Sequence, residues 1–400
     1  MSTSPDFIPF NEPSIGEEEI QEVVETLRSG WLTMGPRTQR FEREFAAAVG
    51  AREAVALSSA TAGLQLALAA LGIGPGDEVI TTPLTFCATV EVILHMGATP
   101  VLADVADDGN IDPEEIRRRI GPRTKAVMPV HLGGLPCRMA EIWALAREHG
   151  LAVVEDAAHT PGAVYRGAPI GGPCPPHGAS DAVVFSFYAN KNMTTGEGGM
   201  ATTQRQDLAD RMRLLRLHGI NKDGWKRYHK SGTWAYEVSE LGYKANMSDI
   251  QAAMGIHQLA KVPRFTAERE RLATLFDEAF AEVEEIVRPR RQADSQHAWH
   301  LYAIRVRPEK LAISRSEFIE QLKERGVGTS VHFIPVPLHP FFANHAADPR
   351  NRCPRALALY ERLISLPLYP GLGEERAGRV VDAVRDVARR NRVKVFAAAV

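Results

Sequence analysis

Short β-branched apolar runs alternating with helical stretches predict an α/β fold. A large domain with a mostly parallel central sheet flanked by helices comes first, and a smaller α+β domain follows. Three observations carry this. The runs are apolar throughout, as strands covered on both faces are. A segment of helical character separates each run from the next, which is what parallel connections require. After about residue 205 the texture becomes mainly helical and then mixed, which places the two domains at 1–255 and 256–400.

Taken in order, residues 18–28 set Ile20, Val23, Val24 and Leu27 on one helical face, closing at Ser29-Gly30. Strands are expected over 54–57, 78–82, 100–104, 125–130, 152–156 and 181–187, with helices over 62–72, 89–95, 113–120 and 139–149. Gly72, Gly97 and Gly150 stand where left-handed C-caps would fall. Further helices are read over 208–217, 249–259 and 268–282. The second part has a strand over 300–307, a helix opened by the capping box Ser314-Arg315-Ser316-Glu317 and ended at Gly326, a strand over 329–333, and a final helix over 374–389. The Pro/Gly-rich segment 171–178 (GGPCPPHG) reads as a local solvated loop, with trimming of a pocket as the alternative.

Composition excludes several classes. The chain has 400 residues, 44% hydrophobic and 24% charged, with net charge −2 and pI near 6.7. Such a balance offers no basic patch for nucleic acid or an anionic membrane. The N-terminal MSTSPDFIPFNEPSIGEEE lacks the basic and apolar regions of a signal peptide. No run approaches the roughly 20 apolar residues of a membrane span. Cys87, Cys137, Cys174 and Cys353 form neither a CxxC pair nor a zinc spacing, so they read as buried or incidental thiols. No metal site is expected, and a reducing cytoplasm suits the chain.

Doubly wound sheets bind ligands beyond the carboxyl ends of their strands, so polar residues at strand ends are the candidates. Ser58-Ser59-Ala60-Thr61-Ala62-Gly63 follows the first sheet strand and opens a helix. Its hydroxyls either cap that helix or, with the free amides, hold an anion. Glu155-Asp156-Ala157-Ala158-His159 ends another strand. The acidic pair there could bind a metal, act as a base, pair with a cationic ring nitrogen, or simply cap a turn. Lys191 follows the apolar, aromatic Phe185-Ser186-Phe187-Tyr188 and precedes Thr194-Thr195-Gly196-Glu197-Gly198-Gly199. It is a solvated loop lysine or a desolvated, nucleophilic amine. The glycines after Glu197 read as turn geometry. Phe86 is either core or a stacking ring. An anion nest, an acid for a pyridinium nitrogen and a Schiff-base lysine together are the requirements of pyridoxal 5′-phosphate.

The chain resembles the DegT/StrS family of nucleotide-sugar aminotransferases, which have the type I aspartate-aminotransferase fold. The resemblance runs from about Ile8 to Leu372 and is carried by 29–36 (SGWLTMGP), 59–68, 82–86 (TPLTF), 155–159, 185–199, 246–253 (NMSDIQAA), 332–335 (HFIP) and 365–370 (SLPLYP). It implies that Lys191 carries the cofactor covalently and Asp156 keeps its pyridinium protonated. His159 then contacts the phenolic side, Phe86 stacks on the ring, and Thr61, Ala62 and Ser186 bind the phosphate. It also implies a homodimer with shared active sites. Where many members read Gly-x-Asn-x-Arg, this chain has Gly242-Tyr243-Lys244-Ala245-Asn246, leaving either Lys244 or Asn246 for the cross-subunit phosphate contact.

The activity implied is ping-pong transfer of an amino group from L-glutamate to a keto group of a nucleotide-linked deoxy sugar. His159, where other members have Gln, favours C4 over C3. A regulator that has lost turnover, or another type I pyridoxal-phosphate enzyme such as a desulfurase or aldolase, is the alternative. Family dehydratases have histidine in place of the lysine; Lys191 favours transamination.

Overall fold

The computed structural model describes residues 7–220, 236–342 and 351–393. The first six residues of the stretch read for a leader lie outside the described residues.

Helices α1 (Glu17–Ser29) and α2 (Pro36–Val49) lead to β1 (Glu53–Leu57). Alternation follows through α3 (Ala60–Ala70), β2 (Glu78–Thr81), α4 (Ala88–His95), β3 (Thr99–Leu102), α5 (Pro113–Arg119), β4 (Thr124–Met128), α6 (Met139–His149) and β5 (Ala152–Asp156). The short β6 (Val164–Tyr165) and β7 (Ala168–Pro169) precede β8 (Ala182–Ser186), β9 (Gly199–Thr203) and α7 (Gln206–Leu215). These strands, apart from β6 and β7, form a seven-stranded sheet ordered β1-β9-β8-β5-β4-β2-β3. β9 runs antiparallel to both its neighbours, whereas the pairs along β8-β5-β4-β2-β3 are parallel. Covered on both faces, β5, β8 and β9 are almost wholly buried.

Next comes α8 (Asp249–Ala279), a single helix of 31 residues with Pro263 inside it. The sequence pattern predicts two separate helices here, 249–259 and 268–282, and Pro263, which lacks a backbone donor, stands between them. Packing overrides the breaker: α1 and α2 lie along α8, and residues on both sides of Pro263 are buried. Ile256 and Val262 join the core around Phe41 and Phe185, while Leu272 and Phe276 join the core around Trp299 and Tyr302. The expected division at 255/256 therefore falls within a continuous helix.

The remaining elements are β10 (Ile286–Val287), β11 (Ser295–Gln296), β12 (Tyr302–Val306), α9 (Arg315–Glu324), α10 (Pro354–Tyr360), β13 (Leu363–Leu366) and α11 (Gly373–Arg390). Strands β10, β12 and β13 form one three-stranded antiparallel sheet; β11, β6 and β7 form another. Ser314 caps α9 with Glu317, as the capping box predicts. The strand expected over 329–333 is only an isolated bridge of Ser330 to Ser365. Beyond it the chain leaves the sheet and takes His332 and Phe333 toward a cavity.

Two other expectations change. On α1, Glu19 and Thr26 are buried, whereas Ile20 and Leu27 are 48% and 53% exposed. The buried Glu19 carboxylate accepts from the Gly16 amide, Gln258 and Lys261, and these polar contacts set the inward face. The 171–178 segment is not a wholly solvated loop: Cys174 is buried, and Gly178 lies against the Trp143 indole. No residue of that segment lines the cavity described next.

Candidate active site

The carboxyl ends of β2, β5 and β8 and the start of α3 converge on a cavity of about 490 Å³. Lys191, Asp156, His159, Phe86, Thr61 and Ser186 all line it. Phe86 is 60% exposed, an aromatic face that the chain's own core does not use. Lys191 is partly covered and lies in the turn after β8. Desolvation pulls its amine down to about 8, and the Asp156 carboxylate opposes that fall.

Asp156 ends β5, buried. Burial raises its carboxyl above the ordinary value, countered by the Thr89 hydroxyl, the Ala158 amide, Lys191 and His131. Thr89 Oγ1 donates to Asp156 Oδ2 across 2.8 Å, and the Thr85 hydroxyl lies 2.8 Å from that of Thr89. Behind the site, His131 Nε2 donates to Glu155 Oε2 at 2.7 Å, because its Nδ1 already accepts the Cys137 amide. The acidic pair thus splits: Asp156 faces the cavity, and Glu155 is spent inside the fold.

At α3, Ser59 Oγ accepts the Ala62 amide at 3.1 Å. Ala62 is therefore engaged in capping and does not line the cavity, whereas Ser59, Ala60 and Thr61 do. The amides of Ala60 and Thr61 lie in the first helical turn, where no intrahelical partner exists. They and the helix dipole suit an anion. Lys244 and Asn246 stand outside the cavity, with Lys244 Nζ donating to Asn246 Oδ1 at 2.6 Å.

Several lining residues were not singled out from sequence for a role: Thr89, Tyr188, Asn190, Glu197, His332 and Phe333. Thr85, in the bend before α4, and Thr89, in its first turn, are the hydroxyl pair that the sequence offers on either side of Phe86. Gly199 also departs from the expected turn role. It sits in β9, where a Cβ would come 2.5–2.7 Å from main-chain atoms of Ser59 and Ala60. The turn itself is made at Gly196, with φ +75°.

A lysine of lowered basicity and a buried acid on one cavity, with a helix N-terminus at its edge, define the class of pyridoxal-phosphate enzymes of the type I aminotransferase fold. The chain belongs to the DegT/DnrJ/EryC1/StrS aminotransferase family, whose model matches residues 13–385. It is 50% identical to the spore coat polysaccharide biosynthesis protein SpsC of Bacillus subtilis over 385 residues, 96% of this chain and 97% of that protein. Spr1654 of Streptococcus pneumoniae, assigned as a sugar aminotransferase and solved in its PMP form, superposes with a TM-score of 0.88 at 34% identity, covering 96% of this chain and 99% of that one. The same protein is also solved in a PLP form. DesV of S. venezuelae superposes with a TM-score of 0.84 at 36% identity, covering 94% and 95% of the two chains.

The enzyme is accordingly a pyridoxal-phosphate-dependent sugar aminotransferase. The residues present fit that cofactor: an acid at one side of the cavity, an exposed aromatic ring, free amides and hydroxyls for a phosphate, and one lysine. Among the described residues, no helix is long and apolar enough to cross a membrane.

Proposed function

We propose that this enzyme transfers an amino group from L-glutamate to the C4 ketone of a nucleotide-linked deoxy sugar, in two half-reactions through Lys191. The single observation that carries this is the pairing of Lys191, its basicity lowered to about 8, with Asp156 on one cavity. Pyridoxal 5′-phosphate, when bound, supplies an electron sink for the carbon that loses its proton.

The chain's own residues supply the rest. Lys191 Nζ, neutral in a useful fraction near pH 8, is the nucleophile that holds the cofactor. Once released, it is the amine placed to take the α-proton of the bound donor and to return a proton in the second half-reaction. No other lysine and no arginine lines the cavity among the described residues. Asp156 would hold the ring nitrogen's proton. Phe86 would stack on the ring. Ser59, Thr61 and Ser186, with the first amides of α3, would hold the phosphate. His159, whose Nδ1 accepts the Gly133 amide, keeps its Nε2–H as a donor and would offer it to the cofactor's phenolic side.

The sugar acceptor is supported by the family and by the polysaccharide-biosynthesis relative. The nucleotide link, the glutamate donor and the C4 position rest on family resemblance and on His159. A homodimer is supported by the exposed Ile20 and Leu27, a heptad apart on α1, and by exposed Leu241, Val238 and Phe341. Lys244 and Asn246, exposed or half-buried and outside their own chain's cavity, are the residues offered to a partner's phosphate. Sedimentation should give a two-chain species; a monomer at micromolar concentration would remove that part. A cytoplasmic location is part of the same proposal.

The test is a half-reaction. The pyridoxamine form is mixed with a panel of nucleotide-linked 3-keto and 4-keto sugars while the return of the pyridoxal-form absorbance is followed. A response to 4-keto sugars is expected. A response confined to 3-keto sugars corrects the position, and silence toward all of them rejects the acceptor class.

A further inference from the structure

Beside His159 the structure holds a second imidazole. His300 stacks on His159 with ring centroids 4.3 Å apart and planes 28° from parallel. Both rings are buried. The Gly133 amide donates to His159 Nδ1 across 3.2 Å. An amide N–H can only donate, so Nδ1 carries the lone pair and the proton of the neutral ring sits on Nε2.

The same accounting settles His300. Asn192 Nδ2 donates to the Ala298 carbonyl at 2.7 Å and toward the Pro161 carbonyl at 3.4 Å. Its Oδ1 is then the acceptor that lies 3.1 Å from His300 Nδ1, and the hydrogen of that pair belongs to His300. Asn192 directly follows Lys191, so the couple joins the lysine's turn to the ring that supports His159.

The surrounding segment is tied down. The Ala298 amide donates to Gly134 and the Leu301 amide to Gly133, at 2.9 and 3.0 Å. Between them Trp299 adopts a left-handed φ of +48°, and its carbonyl accepts from the buried Arg269 guanidinium at 2.9 Å. One pair of glycines thus carries both the amide that orients His159 and the carbonyls that seat His300.

We propose that His300, oriented by Asn192, is a positioning residue for His159: it fixes the plane of that ring, so that the Gly133 amide stays on Nδ1 and keeps the ring in the neutral Nε2–H tautomer. This role rests on the reading that His159 meets the cofactor. The charged or titratable groups facing the two rings are Lys191, Arg269, His131 and His332. Together with burial they push both imidazoles well below the usual range.

The experiment begins with cofactor-free wild-type protein. Nitrogen-15 histidine NMR, with resonances assigned through His159→Gln and His300→Phe, should show His159 as Nε2–H and His300 as Nδ1–H, both neutral at pH 7. A charged His159, or one protonated on Nδ1, overturns the proposal without recourse to any folded mutant. In His300→Ala and Asn192→Ala, His159 should become a mixture of tautomers. The visible band of the loaded protein should titrate at a shifted pH, and kcat should fall about tenfold with KM for the amino donor within about twofold. His300→Phe, which keeps a ring in place, should retain more kcat than His300→Ala. Folded alanine variants with an unchanged His159 tautomer and an unchanged band also overturn the proposal. Failure to trap a reduced adduct at Lys191 would reject the functional reading instead, and would leave the tautomer result untouched.

Discussion

Thr89, in the first turn of α4, donates its hydroxyl to Asp156 at the end of β5 across 2.8 Å. Burial alone would keep that carboxyl protonated to higher pH, and the Thr89 bond is the largest of the effects opposing it. Thr89→Val removes the donor and leaves the Ala158 amide as the carboxylate's remaining hydrogen-bond donor within the chain. A hydrogen bond to a charged group contributes about 1.5–3 kcal/mol, equivalent to about one to two pH units. The acid limb of the kcat profile should therefore move upward by about one unit or more, with cofactor still bound. Asp156→Asn should retain cofactor and lose most turnover; near-normal rates would contradict the ring-nitrogen role.

Lys191 titrates near 8 in the folded chain, below its ordinary 10.5. Holding the ammonium desolvated costs stability at all pH below about 8, and the cost fades as pH rises from 8 to 10.5. Lys191→Met should therefore stabilise the cofactor-free protein at pH 7, by about 1–3 kcal/mol in urea unfolding, with the gain vanishing above pH 10.5. The wild-type amine should react with pyridoxal 5′-phosphate at a rate that rises with pH and levels off above 8. Borohydride should fix the adduct on Lys191, and Lys191→Ala should show none. An adduct on another lysine would displace the assignment.

Gly199 lets β9 pass directly over the start of α3, where an added Cβ would meet Ser59 and Ala60 main chain at 2.5–2.7 Å. Neither backbone can yield as a flexible side chain would. Gly199→Ala should destabilise the fold by about 1–3 kcal/mol and weaken cofactor retention, since the displaced segment carries the anion-binding amides. Equilibrium dialysis against pyridoxal 5′-phosphate separates the two effects. Unchanged affinity in a folded variant would show that α3 does not hold the phosphate.

Asp249 is buried and accepts from the Gly35, Arg37 and Thr38 amides and from the Thr38 hydroxyl, at 2.6–3.0 Å. One carboxylate at the start of α8 thereby caps α2, whose own Gly35 has no side chain to do so. Asp249→Asn places an amide donor among those donors and should lower stability by about 2–4 kcal/mol, read as the midpoint in guanidinium, with the spectrum of bound cofactor unchanged.

The residues read from sequence for chemistry were those at strand ends. Lys191, Asp156 and Phe86 stand just at or past β8, β5 and β2, where a doubly wound sheet opens to ligands, and each was found on the cavity. Ala62 was not, because Ser59 consumes its amide. Less was legible where polar contacts outvoted hydrophobic pattern. Glu19 turned α1 inward against its apolar stripe, and packing carried α8 through Pro263.

By itself, then, the sequence determined the alternation that builds the sheet, the positions of its strand ends and the residue types waiting there. These follow from local periodicity and the rule that ligands bind beyond parallel strands. The tertiary structure alone decided which hydroxyl meets Asp156, why Gly199 admits no side chain, and that His300 and Asn192 support His159. Such pairings join residues from 67 to more than 100 positions apart, and no local pattern records a contact that exists only once the chain has closed on itself.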